Sequence, residues 1–112
     1  MSKLNRYSDS FAADGDGKIY KFNTPDSNQA VESVAFTLTG TWNSATITLY
    51  ICADTTASPL VFAAVPDAAY TADTGDKWDI PTGCYFKLTA SGSGSPIPAL
   101  TAALVGDISP VA

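Results

Sequence analysis

Five aspartates are placed where carboxylates could do chemistry: Asp9, Asp14 and Asp16 in the opening segment, and Asp76 with Asp79 further on. The run Asp14-Gly15-Asp16-Gly17 resembles a calcium-binding turn. No glutamate follows at the distance a calcium loop needs, and no helical pattern flanks it. Asp and Gly also supply the backbone angles of an ordinary turn, so the segment reads as a turn without metal. Asp76 and Asp79 flank Trp78 on a short strand and read as a solvated edge rather than an acid and base. Histidine is absent, which removes the commonest general base, the commonest transition-metal ligand and any Ser-His or Cys-His nucleophile pair. Cys52 and Cys84 are too few for a zinc centre. No phosphate-cradling glycine loop and no hydrolase elbow appears. The expectation is a protein with no catalytic residue, no metal site and no cofactor.

Aromatic side chains are the other candidates. Tyr50 and Tyr85 have the outward parity of their strands, and Trp42 falls in a turn. Such rings stack on sugars, fill subunit contacts, or lie beneath a covering loop. Amides that would assist sugar binding are confined to Asn28 and Asn43.

The elements that position these groups are strands. Residues 45–52 alternate, with Ala45, Ile47, Leu49 and Ile51 on one face and Thr46, Thr48, Tyr50 and Cys52 on the other. That is the period of a half-buried strand built of β-branched and aromatic residues. Val34, Phe36 and Leu38 make an earlier alternating run, and Gly40, Asn43 and Ser44 lie between the two, so a hairpin is expected there. Cys84, Phe86 and Leu88 alternate inward against Tyr85, Lys87 and Thr89. Cys52 and Cys84 then fall on opposite faces and stay free thiols, with Cys84 filling the core. Further strands are expected at 19–22, 60–65, 69–72, 77–80 and 99–105, separated by turns at 24–28, 54–59, 66–67, 73–76, 81–83 and 91–96. The pattern predicts an all-β, single-domain antiparallel β-sandwich, jelly-roll or Ig-like, of seven or eight short strands. Residues 1–17 are expected as an N-terminal arm or loop, with a short strand near 3–7, and 18–112 as the sandwich domain.

A chain of 112 residues supports one modest core. Charged residues make up only 15% of it, and the net charge is −5. An acidic balance disfavours nucleic acid, whose phosphates need clustered Lys and Arg. The charge is uneven: residues 1–22 net +1, and the remainder nets −6. No apolar run is long enough for a membrane span, and the opening MSKLNRYSDS lacks the apolar stretch of a signal peptide. Retention in a cytoplasm, or release by lysis, is expected.

Residues 37–50 (TLTGTWNSATITLY), 61–66 (VFAAVP), 78–92 (WDIPTGCYFKLTASG) and 99–106 (ALTAALVG) together resemble small virion proteins of tailed bacteriophages. The likeness spans about residues 34–106 and follows turns and core alternation. It implies a capsid decoration (cement) protein that binds the major capsid protein on the outer shell as a homotrimer. Such a protein would stabilise the expanded shell without turnover, residing on the virion after assembly in the host cytoplasm. On that reading Lys3, Leu4, Arg6 and Tyr7 are the expected capsid-contacting residues, and Leu100, Ala102 and Leu104 the expected oligomer interface. The alternative is a receptor- or carbohydrate-binding module of a phage fibre or accessory protein.

Overall fold

The computed structural model describes residues 4–23, 31–92 and 99–111. Lys3, the turn expected at 24–28 and most of the turn at 91–96 lie outside them. Ten strands are formed and no helix is present among these residues: β1 Asn5–Phe11, β2 Gly15–Asp16, β3 Tyr20–Phe22, β4 Val31–Thr41, β5 Thr46–Cys52, β6 Ala63–Tyr70, β7 Thr74–Pro81, β8 Tyr85–Ser91, β9 Ala99–Gly106 and β10 Ile108–Pro110. One sheet has the order β1-β9-β4-β7. The other runs β10-β3-β8-β5-β6, with β2 also paired to β8. All pairings are antiparallel.

The topology decides between the two sandwich types. β1 pairs with β9, β2 and β3 with β8, β4 with β7, and β5 with β6, so the pairs nest around the segment 53–62. A long double strand folded at that segment and rolled on itself gives this nesting, which is the jelly-roll arrangement. An immunoglobulin-like order does not nest in this way.

Inward positions of both sheets close the core. Val34, Phe36, Leu38, Leu100, Ala102 and Leu104 come from one sheet, and Ile47, Leu49, Phe86 and Leu88 from the other, all buried. Each such large apolar side chain contributes about 1.5–3 kcal/mol on burial. Phe36 stacks on Trp78 with ring centroids 3.9 Å apart, and the Trp78 indole donates to the Tyr70 hydroxyl at 3.0 Å. Among the described residues no buried side-chain nitrogen or oxygen lacks a hydrogen-bond partner.

Several expectations are corrected. The runs before and after residue 42 are not a hairpin: β4 lies in one sheet and β5 in the other. Gly40 (φ 134°), Asn43 (φ 48°) and Ser44 (φ 68°) turn the chain across the sandwich, so that both runs face one core. The Asp73 carboxylate pins this corner by accepting from Gly40 N at 3.1 Å and from the Trp42 indole at 2.8 Å. The strands expected at 60–65 and 69–72 overlap a single β6. Pro66 and Asp67 (φ 62°) make a register shift in it rather than a break, as an edge strand permits. Much of the expected arm is inside the sandwich, because β1 pairs along its length with β9 and buries Asp9 and Phe11. The turn expected at 73–76 is mostly strand, since β7 begins at Thr74, and residues 108–110, beyond the last expected strand, form β10, whose Pro110 sits in an edge strand.

Both cysteines are free and buried. Cys84 belongs to the core cluster, whereas Cys52 lies outside it, opposite Tyr85 and with its thiol donating to the Asp54 carbonyl at 3.3 Å. Burial, followed by the proximity of Cys52, raises the Cys84 thiol above its ordinary pKa.

Candidate interaction surface

The strand register builds an exposed face on the sheet that holds β1, β9, β4 and β7. Arg6, Val105, Ala35 and Lys77 lie side by side across its four strands, then Ser8, Ala103, Thr37 and Gly75, then Ser10, Thr101 and Thr39. All are exposed except Val105, which is half-buried. Inward positions carry the large side chains of the core, so the outward ones are free to be small. Between Arg6 and Lys77 no side chain in these ranks exceeds valine. The result, flat in that sense, is a surface of methyls and hydroxyls, with Arg6 at one edge and the Lys77–Asp79 pair at the other.

The opposite outer face is already occupied. Phe62 lies over the Lys87 ammonium at 4.3 Å, and that ammonium is 2.9 Å from Asp16 Oδ2. Thr89 Oγ1 donates to Asp16 Oδ1 at 2.7 Å. The Thr89 hydrogen bond, and then Lys87, hold the Asp16 carboxyl below its usual pKa. Tyr50 and Tyr85 flank this network half-buried, and Trp42 is committed to Asp73 and packed against the core. Trp42 is thereby taken up by the corner rather than left as a stacking platform.

The flanks of the sandwich differ. On one side Asn5 Nδ2 donates to the Ile108 carbonyl at 3.1 Å, tying β1 to β10 across the two sheets. On the other, β6 and β7 are the end strands of their sheets, and a groove of about 350 Å³ opens between them. Leu49, Ile51, Val65 and Trp78 form part of its wall, and three aspartates, Asp67, Asp76 and Asp79, line it with one lysine, Lys77.

Asp9, Asp16, Asp76 and Asp79, singled out in the sequence, are each held by partners of their own. Asp79 accepts from Ser33 Oγ at 2.6 Å and lies 3.7 Å from the Lys77 ammonium, contacts that lower its pKa, the serine bond most. Asp76 accepts from the backbone of Lys77 at 2.8 Å. Three positions apart on one strand, the two carboxylates have opposite parity and do not share a face. Asp9 is only 4% exposed and is held by Lys18 and Tyr20, while Asp16 is held by Lys87 and Thr89. These two do not converge on one point. Among the described residues no group of three or more potential metal ligands comes together.

Of the expected capsid-contacting residues, Leu4 and Arg6 are exposed, and Arg6 is on the flat face. Tyr7 points inward and is half-buried, its ring 5.7 Å from that of Tyr20. The expected oligomer residues Leu100, Ala102 and Leu104 are core, with exposures of 1%, 0% and 0%. β9 presents Thr101, Ala103 and Val105 outward instead, because inward parity belongs to the leucines. Comparison with protein families, curated proteins and solved structures gives no match.

Proposed function

We propose that the protein is a non-enzymatic structural component of a phage particle, a decoration protein that binds the outer shell as a homotrimer and stabilises its expanded form. The flat face of the β1-β9-β4-β7 sheet carries this reading. Its ranks of Ser, Thr, Ala and Gly lie in register and neutral between Arg6 and Lys77. Small side chains on a rigid sheet allow close approach of another ordered surface with little loss of rotamer entropy. The jelly-roll scaffold supplies the rigidity, and capsid domains are among the uses of that fold, though fold alone assigns no function. The likeness of residues 34–106 to virion proteins gives the partner.

Purified protein is sedimented with expanded, undecorated shells and with unexpanded precursor shells. Saturable binding to the expanded form alone is the expected result. Binding to neither form would overturn the reading.

A further inference from the structure

The two flanks of the sandwich carry opposite charge. Asp67, Asp73, Asp76 and Asp79 are all exposed on or beside β6 and β7, where the one lysine, Lys77, lies beside Asp79. At the β1/β10 flank the exposed cations are Arg6 on β1, Lys18 before β3 and Lys21 on β3. Asp9 is buried there and paired with Lys18 at 3.1 Å, and Asp107 is buried as well. Asp14 lies in the turn beyond the far end of β1.

A second asymmetry coincides with the first. The acidic flank holds the groove, whose wall is part apolar and part charged, and the basic flank holds Leu4, which is 70% exposed and leads directly into β1. In an extended chain Leu4 and Arg6 share a face about 7 Å apart. One apolar side chain and one cation thus stand together on one flank, while a groove with an apolar part and carboxylates stands on the other. β7 also presents an edge whose backbone groups an added strand would satisfy.

We propose that the β6–β7 groove receives the Leu4–Arg6 end of β1 from a second copy of this chain. Leu4 enters the apolar part of the groove, and Arg6 meets Asp76 and its acidic neighbours. The contact joins two different patches, so it builds a ring where its rotation closes. It gives the trimer of the preceding reading a specific contact, and it can be tested without shells, so the two can fail separately.

The test is the molar mass of the protein in solution, by light scattering across concentration and at low and high salt. The expected result is self-association that weakens as salt screens the flanks. Leu4→Ser weakens it, and Arg6→Glu or Asp76→Arg each weakens it on the order of 100-fold, since each sets like charges face to face. Mixing the Arg6→Glu and Asp76→Arg proteins restores association, because the intact basic flank of one meets the intact acidic flank of the other. Circular dichroism confirms that each variant is folded. A monomer under every condition would overturn the proposal, as would association that all three substitutions leave unchanged.

Discussion

Asp9 is the residue on which the first third of the chain converges. Its carboxylate accepts from the Tyr20 hydroxyl at 3.2 Å, the Lys18 amide at 3.3 Å and the Lys18 ammonium at 3.1 Å. Burial, and then Asp9 itself, push the Tyr20 hydroxyl far above the ordinary tyrosine range, so it remains a donor. Asp9→Ala leaves that hydroxyl buried without its acceptor and is expected to cost about 2–3 kcal/mol in urea unfolding; Tyr20→Phe, which leaves both lysine bonds, costs about 1 kcal/mol. Gly17 is required by the same contact, since a Cβ there would stand 2.7 Å from Asp9 Oδ2 and displace it. Carboxylates also set the acid limit. Asp16, Asp54 and Asp79 all titrate below the ordinary 3.8, chiefly through hydrogen bonds from Thr89, Thr56 and Ser33 respectively. A depressed folded pKa gives stability that is complete above the unfolded value and lost as pH falls through the folded one. The urea midpoint is therefore expected to hold at neutral pH and to drop from about pH 4 downward. Asp16→Asn should flatten part of that drop.

At the scale of elements, period-2 alternation marks the interior where the inward residues are all apolar, except at the end of β5, where Ile51 is half-buried and Cys52, expected outward, is buried. Val34, Phe36 and Leu38, then Ile47 and Leu49, then Phe86 and Leu88 are buried as their parity requires. β1 shows in the sequence only as a short strand near 3–7, because its inward positions are Tyr7, Asp9 and Phe11 and a buried aspartate erases the apolar period. β6 was split because Pro66 is a turn signal in sequence, but within an edge strand it becomes part of a register shift. Pairing between distant segments has no local signature, which is why the corner at 40–45 resembled a hairpin. The same limit hid the exposed face, since Arg6, Val105, Ala35 and Lys77 are neighbours only through the β1-β9-β4-β7 order. Leu100, Ala102 and Leu104 had the composition of an interface and the parity of a core. Leu104→Ala should cost about 2–5 kcal/mol of stability by leaving a cavity. Val105→Thr, on the outward side of the same strand, should change the unfolding midpoint little. Chemical denaturation of the two variants distinguishes core from surface directly.

For the whole molecule, the rolled topology gives each surface a different character. On the outer face of β5 and β8 the Lys87 ammonium contacts both Phe62 and Asp16, and one flank is tied by Asn5 to Ile108. The flat face and the open β6–β7 flank remain, and they lie at different parts of the sandwich. A block of this kind can touch a lattice with its face and another copy with its flanks at the same time. Substitutions at the middle of the flat face, away from Arg6 and Lys77 at its edges, should therefore affect shell binding without affecting self-association. Ala103→Arg places a long charged side chain at the middle of the flat face, where its neighbours across the strands are Ser8 and Thr37. That change holds an opposing surface away and is expected to abolish co-sedimentation with expanded shells, while thermal unfolding and molar mass in solution stay as in the parent. Tyr85→Ala on the opposite face should leave shell binding intact. If Ala103→Arg still sediments with shells and Tyr85→Ala does not, the lattice contact belongs to the opposite face, and the half-buried tyrosines become the surface to map.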